Sequence, residues 1–364
     1  VSRPDRPAGG QRQASPDPVL PAGFAGRVVR WQRSHGRNDL PWQNTRDPYR
    51  VWLSEIMLQQ TQVAAVLGYY PRFLARFPDV RALAAAPLDD VLALWSGLGY
   101  YSRARNLHRC AQDVVHLHGG AFPRSAEALA TLPGIGRSTA AAIAAFCLGE
   151  RAAILDGNVK RVLTRVLGFA GDLGVAANEK RLWAHARALL PARDLQDTMP
   201  RYTQGLMDLG ATVCLPRNPS CLLCPVQAQC AAARQGRPED FPVKTRKLKR
   251  TAESLWLLQA RAEDGSVWLH KRPTPGVWAG LYCLPLFDSR AALEAALPKS
   301  AARGLREAEP FVHVLTHKDL HLHPVQAQLP ANWRAAEGAW FGPREWPALG
   351  LPAPVRRLLE GAGN

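Results

Sequence analysis

The sequence predicts a multi-domain protein, an all-α domain followed by a smaller α/β domain, and three observations carry that prediction. Its 364 residues exceed the roughly 150 of a typical single domain. Apolar residues recur at helical spacing from residue 26 to about 215. After residue 251 they alternate in the manner of strands.

The elements follow in chain order. Residues 1–21 are rich in Pro, Arg, Gly and Ser and lack an apolar stretch, so they read as a flexible tail and not as a secretion signal. No run approaches the roughly 18 apolar residues of a membrane crossing, and the chain is expected to be soluble and intracellular. Residues 64–77, interrupted at Pro71, then 125–132 and 159–167 repeat apolar side chains at three and four. Breaks fall at Gly97-Leu98-Gly99 and Pro133-Gly134. Residues 234–250 carry Pro238, Pro242 and a cluster of Lys and Arg, the composition of a solvated basic linker. Residues 254–260 and 266–270 flank a Glu263-Asp264-Gly265 turn, a hairpin signal. A second hairpin is expected from residue 311 through His317-Lys318-Asp319 to 323, and a short helix over 352–360.

A formal net charge of +16 draws polyanions, and nucleic acid is the commonest of these in a cell. Of seven cysteines, Cys110, Cys147 and Cys283 sit singly in apolar surroundings. The other four form Cys214-x6-Cys221-x2-Cys224-x5-Cys230, close enough to surround one metal centre. Thiolates suit zinc or an iron–sulfur cluster, and spacing alone leaves that choice open. Leu132-Pro133-Gly134-Ile135-Gly136 lies between two helical patterns. Its glycines permit a sharp turn and close approach, and the following helix start offers free N–H groups to phosphate. This fits a helix-hairpin-helix element that holds DNA backbone without reading sequence.

Two carboxylates stand out. Glu55 recurs with Gln59 and Gln62 at i, i+4 and i+7, a narrow polar stripe on an otherwise apolar helix. Burial there would keep Glu55 protonated near neutrality, as a general acid requires. Asp156 precedes the basic amphipathic helix over 159–167, a place where Asp is ordinarily an N-cap. The functional expectation is that Asn158 caps this helix and leaves Asp156 free to face developing positive charge.

Taken together and in order, several motifs resemble those of MutY-type adenine DNA glycosylases, members of the helix-hairpin-helix, iron–sulfur glycosylase superfamily. They are Leu40-Pro41-Trp42, Trp52-Leu53-Ser54-Glu55-Ile56-Met57-Leu58-Gln59-Gln60-Thr61, Gly97-Leu98-Gly99-Tyr100-Tyr101, Leu132-Pro133-Gly134-Ile135-Gly136, Leu155-Asp156-Gly157-Asn158-Val159 and the four cysteines. The resemblance runs from about residue 24 through the second domain. It implies a tail over 1–23, a helical glycosylase domain over 24–233, a linker over 234–250 and a Nudix-like lesion-recognition domain over 251–364. The glutamate-rich signature of true Nudix hydrolases is missing, so that domain is expected to hydrolyse no nucleotide.

The resemblance further implies one 4Fe–4S cluster on Cys214, Cys221, Cys224 and Cys230. The substrate is double-stranded DNA with adenine opposite 8-oxoguanine or guanine, bound by a monomer in the bacterial cytoplasm, on the nucleoid. Glu55, Asp156 and Asn158 are the implied catalytic group. Gln60 and Tyr100 are the implied wedge, with Thr61 and Leu98 beside the 8-oxoguanine and Trp42 and Gln204 in the adenine pocket. Gly134, Gly136, Ser138, Lys160 and Arg161 are expected on the phosphates, and Thr316 and His317 on the lesion. Leu315-Thr316-His317 replaces the Phe-Ser-His loop common in the family, and Ser138 replaces a tyrosine found in some relatives, which is expected to loosen the support around Asp156. The related endonuclease III type carries a Schiff-base lysine where this chain has Ser138, which implies a monofunctional glycosylase that leaves an abasic site.

Overall fold

The computed structural model describes residues 18–245 and 249–361. Most of the expected tail, and residues 246–248 of the expected linker, therefore lie outside the described residues. The chain packs into two compact units whose segments interleave. One holds the chain up to Arg46 with Arg124–Ala130 and Gly136–Arg246, and the other holds Asp47–Pro123, Thr131–Ile135 and Lys247–Asn364.

The first unit is helical. Its main helices are Phe24–His35, Arg137–Leu148, Gly157–Leu167, Ala176–Ala188 and Leu195–Asp208. In Arg137–Leu148 every residue from Ala140 to Ala145 is buried, and five of these six are alanine. Alanine favours the helix and adds little bulk, so neighbouring backbones can come close on several sides. Helix Gly157–Leu167 buries Val159, Val162, Leu163 and Val166, the three-and-four spacing read from the sequence. Leu195–Asp208 packs on Phe24–His35 at Gly205, where a β-carbon would stand 2.8 Å from Val28 Cγ1.

Within the expected linker, residues 234–237, Glu239 and Asp240 are exposed as expected, but residues 241–243 are anchored, which corrects the sequence reading there. Phe241 is buried, its carbonyl accepts from Arg165 Nε at 3.1 Å, and the Val243 carbonyl accepts from Leu173 N at 3.3 Å. Charge composition concealed an apolar anchor.

The second unit opens with helices Pro48–Leu58, Val63–Arg76, Val80–Ala85, Leu88–Trp95 and Ser102–His118. Val63–Arg76 continues through Pro71, where an interruption was expected. The missing N–H leaves the Leu67 carbonyl without its helical partner, and Leu67 is exposed, so solvent can take the bond.

Strands follow, β1 (Thr251–Arg261), β2 (Val267–Lys271), β3 (Tyr282–Cys283), β4 (Leu286–Phe287), β5 (Arg306–Glu307), β6 (Phe311–Val314), β7 (Lys318–Gln328) and β8 (Ala339–Phe341). Both expected hairpins form, β1 with β2 and β6 with β7, each antiparallel. The sheet is centred on a parallel pair, β1 with β7, in register from Thr251↔Lys318 to Arg261↔Gln328. Leu258, Ala260, Trp268, Val325 and Ala327 fill one core beside Leu293 and Leu297. The closing helix is Ala353–Gly361. Within this unit the strands and helices are tied by Ser96 Oγ to the Leu351 carbonyl (2.8 Å), Arg105 Nη1 to the Ala279 carbonyl (2.7 Å) and the Lys271–Asp89 ion pair (2.5 Å). Among the described residues no helix is long and apolar enough to cross a membrane.

Candidate active site

In the first unit, Asp156 is itself the N-cap of Gly157–Leu167. Its Oδ1 accepts from the backbone N–H of Asn158 (2.6 Å) and Val159 (2.9 Å). The expectation that Asn158 caps the helix is therefore corrected, because Asn158 already lies inside the first turn. Its side-chain Oδ1 accepts instead from Arg161 Nη2 at 2.7 Å. Asp156 combines both roles considered for it: Oδ1 caps, and among the described residues no donor reaches Oδ2. Enclosure by protein pushes its carboxyl above the ordinary carboxylate range, against the pull of the two N–H donors and of Arg161 and Lys160. Ser138 Oγ accepts from Leu155 N at 3.0 Å, one residue before Asp156, so Ser138 braces the approach to the cap.

Arg161 is not a free phosphate ligand. Its guanidinium donates to the carbonyls of Cys214 (2.7 Å) and Gly210 (2.6 Å) as well as to Asn158, because the backbone around Leu209–Val213 leaves carbonyls that a helix would have satisfied. Lys160 is ion-paired with Glu179 at 2.6 Å. Gln204 donates to Asp208 Oδ1 (2.8 Å), which also takes Arg37 Nε (2.7 Å), and Trp42 is buried. Asp208 is fully buried and carried no signal in the sequence beyond its charge.

The four cysteines line one cavity with Val162, Val213 and other aliphatic side chains. Arg165 is almost fully buried beside it and donates from Nη1 to Cys214 Sγ (3.3 Å) and to the Leu215 carbonyl (2.6 Å), and from Nη2 to the Pro216 carbonyl (3.0 Å). Burial pushes the Cys224 thiol up to about 12 and raises Cys230, with the neighbouring sulfurs adding to both. Four thiolates so placed need a cationic centre to be stable, which the donor set fits. Among the described residues, no three His, Cys, Asp or Glu side chains gather as tightly as ligands of a single ion do.

In the second unit, Asp47 caps helix Pro48–Leu58 by accepting from Tyr49 N at 2.9 Å, with Pro48 favourably at its start. Seven residues of this helix are buried, and Glu55 is half-buried among them. The stripe through Glu55, Gln59 and Gln62 does not exist as a helical face. Gln59 ends the helix, Gln60 turns left-handed at φ 55°, and Gln62 caps the next helix. Sequence periodicity missed the break because Gln-Gln-Thr-Gln contains no Gly or Pro.

A second irregular loop, residues 96–101, lies between Leu88–Trp95 and Ser102–His118. Gly97 has φ 102°, and a β-carbon there would meet Tyr69 Oη at 2.3 Å. Tyr100 is left-handed at φ 47° and 45% exposed, whereas Leu98 is buried. Non-glycine residues in this region carry about 1–2 kcal/mol of strain each. Both strained residues are ones the motifs had singled out as a wedge.

Arg103, which the sequence did not flag, joins the two loops. It is 8% exposed. Its Nη1 donates to the carbonyls of Ile56 (3.0 Å), Met57 (2.8 Å) and Gln59 (2.7 Å), and its Nη2 to Thr61 Oγ1 (3.0 Å), Leu98 O (3.1 Å) and Gly99 O (3.2 Å). The Thr61 hydroxyl is thus engaged inside the protein. A polar cavity of about 230 Å³ opens beside the loops, lined by Gln59, Gln60, Tyr100, Asn106 and Gly134. Gly134 has φ 77° and approaches Asn106 so closely that a β-carbon would stand 2.8 Å from its Cβ. Gly136, in the first unit, is the N-cap of Arg137–Leu148 and offers no side chain to cap the first turn.

The β6–β7 hairpin presents Thr316 and His317, both exposed. Tyr100 Oη and Thr316 Oγ1 share a 2.7 Å hydrogen bond, and Arg250 donates to the Leu315 carbonyl (2.8 Å) and pairs with Asp319. The wedge and hairpin residues are therefore in direct contact within one unit.

Residues 53–188 match the family described as HhH-GPD superfamily base excision DNA repair protein, and residues 256–361 match the NUDIX domain. Fold and motifs define a base-excision glycosylase with a helix-hairpin-helix core and a Nudix-like carboxyl-terminal domain. The adenine DNA glycosylase of Buchnera aphidicola subsp. Acyrthosiphon pisum (strain APS) is 36% identical over 346 residues, 93% of this chain and 97% of the relative. The adenine DNA glycosylase of Homo sapiens is 43% identical over 228 residues, 60% of this chain and 41% of the relative. Among solved structures, a thermostable thymine-DNA glycosylase aligns with a TM-score of 0.50 at 30% identity, over 58% of this chain and 95% of that one. The chain belongs to the adenine DNA glycosylase family. It is a DNA N-glycosylase that binds DNA and removes adenine in base-excision repair.

Proposed function

We propose that the chain hydrolyses the N-glycosidic bond of adenine paired with 8-oxoguanine or guanine, leaves an abasic site, and cuts no strand. The single observation that carries the mechanism is the state of Asp156, with one oxygen fixed by two backbone N–H groups and the other unclaimed. Adenine must leave the stack first, at a cost of a few kcal/mol. Gln60 and Tyr100, already strained and next to open space, fill the gap, while Thr316 and His317 read the opposite base. Trp42 and Gln204 help form the adenine pocket, and Thr61 and Leu98 shape the loops beside the lesion.

Glu55 delivers a proton to adenine N7 and makes the base a leaving group. As the C1′–N9 bond breaks, the sugar takes on oxocarbenium character, and Oδ2 of ionised Asp156 stabilises or traps it. Glu55, now a base, takes a proton from the incoming water. This division of labour between two carboxyl groups is that of a retaining glycosidase. Asn158 supports Asp156 through its backbone N–H, and Ser138 supports the preceding residue.

Cys214, Cys221, Cys224 and Cys230 are the residues that hold one 4Fe–4S cluster. When bound, such a cluster would cross-link residues 214–230 through these thiolates and would supply no chemistry to base removal. The helix start at Gly136 and Lys160, released from Glu179, hold phosphates. We assign domains over 24–233 and 251–364, with a tail before and a linker between, to a monomer acting on the bacterial nucleoid in the cytoplasm.

Adenine release from a duplex with one A:8-oxoguanine pair, beside an A:T duplex, tests the reading. Release confined to the mispair, with no borohydride-trapped adduct and an intact strand until alkali is added, is expected. Equal release from A:T, or efficient trapping, would overturn it.

A further inference from the structure

Arg103 buries a guanidinium with no carboxylate beside it among the described residues. Its six bonds go to the last turn and C-cap of the Glu55 helix (three), to Thr61 Oγ1 (one) and to the loop 96–101 (two). Those segments share no secondary structure, yet each ends in a strained, exposed residue, Gln60 and Tyr100. The Arg103 guanidinium also faces the Trp95 ring at 5.3 Å and the Tyr100 ring at 5.6 Å. Trp95 Nε1 donates to the same Gly99 carbonyl that Arg103 holds, at 3.2 Å.

We propose that Arg103 is a positioning residue that couples the two loops, so that Gln60 and Tyr100 enter the duplex as one wedge. A guanidinium suits this because its fixed fork sets Nη1 on the end of the Glu55 helix while Nη2 bridges Thr61 and the loop 96–101. A lysine ammonium, a single point charge, cannot span both in that way. The charge serves as a donor to carbonyls, which explains why burial without a counter-ion is tolerated. The Glu55 helix ends in the same clamp, so the setting of the general acid and the insertion of the wedge are linked through one side chain. The proposal rests on the reading of Gln60 and Tyr100 as wedge residues.

The test compares Arg103→Lys, Gln60→Ala, Tyr100→Ala and the pairwise variants in the full-length, cluster-loaded protein. Single-turnover adenine release at saturating enzyme is measured, with extrusion followed by 2-aminopurine fluorescence at the adenine position. Arg103→Lys is expected to slow release on the order of 10- to 100-fold and to lower the fluorescence rise, with duplex affinity changed much less. Adding Gln60→Ala or Tyr100→Ala to it should then cost little more. Hydrogen exchange of Arg103→Lys should show residues 56–61 and 98–101 losing protection together. Thr61→Val, which removes one acceptor and keeps Arg103, should give a smaller defect of the same kind, and it carries the test if Arg103→Lys does not fold. Wild-type extrusion in both variants, or loosening of one loop alone, overturns the coupling. If Gln60→Ala and Tyr100→Ala are themselves harmless, the wedge reading fails instead, and that result is independent of Arg103.

Discussion

The regions around the two carboxyl groups solve the same problem with different materials. Beside Asp156, the irregular chain from Leu209 through Pro216 is held by Arg161 and Arg165, both projecting from the helix that Asp156 caps. Beside Glu55, the loops around Gln60 and Tyr100 share one arginine, Arg103, and loop 96–101 is held besides by Tyr69 Oη on the Ser96 carbonyl and Trp95 Nε1 on the Gly99 carbonyl. In each case guanidinium groups replace the hydrogen bonds that a helix or sheet would have given, since buried carbonyls demand partners. The difference is redundancy. The first region has two arginines and four convergent cysteines, whereas the second has one arginine and two strained residues.

The largest effects should come from the carboxyl groups themselves. Glu55→Gln and Asp156→Asn are each expected to reduce single-turnover adenine release by roughly 10²–10⁴-fold. They should differ in stability. Burial raises the folded-state value of Asp156, so the folded protein holds that proton more readily than the unfolded chain. The group thus destabilises the fold above its folded value, and this cost disappears as pH falls. Asn is an equally good N-cap. Asp156→Asn should therefore melt at or above the wild-type temperature at pH 7.5 while losing activity, and a clear drop would contradict the cap geometry. Because catalysis needs the ionised form, wild-type activity should fall on acidification with a midpoint above the normal carboxylate range.

Next come changes that remove the redundancy of the first region. Cys224→Ser should abolish the visible absorbance of a loaded cluster and expose residues 209–230 to proteolysis. Release by the residual enzyme should fall about tenfold or more as the Asp156 helix loses its support. Residues 96–101 should keep their exchange protection, since no bond of Arg103 reaches the cysteine loop.

Salt dependence separates Arg161 from Lys160. Lys160→Ala should make the slope of log affinity against log salt shallower by about one, the weight of one phosphate contact. Arg161→Ala should change that slope less and lower the melting temperature, because Nε and Nη2 are engaged by Cys214, Gly210 and Asn158. The smallest effect is expected from Thr316→Val, which removes the bond to Tyr100 and should change discrimination between 8-oxoguanine and guanine by about 1 kcal/mol or less.

Much of this molecule was legible in order along the chain. Helical periodicity predicted Gly157–Leu167, alternation predicted both hairpins, and the motifs marked Asp156, Glu55 and the cysteines. Misreadings cluster where local rules compete. Pro71 suggested a break that an exposed carbonyl made unnecessary, and Gln59–Gln62 looked like a helical stripe although the chain turns there without glycine. Arg161 looked like a phosphate ligand because charge is visible in sequence, while the carbonyls it serves, more than forty residues away, are not.

The sequence alone determined where most helices and strands lie, which residues are candidates for acid, anion and thiolates, and which family the chain resembles. Those properties depend on neighbours a few positions apart. Tertiary structure decided which arginines are clamps, that β1 and β7 run parallel, and that Tyr100 meets Thr316. Each depends on groups distant in sequence meeting within about 3 Å, and hydrogen bonds weaken too steeply with distance and angle for a one-dimensional pattern to encode that meeting.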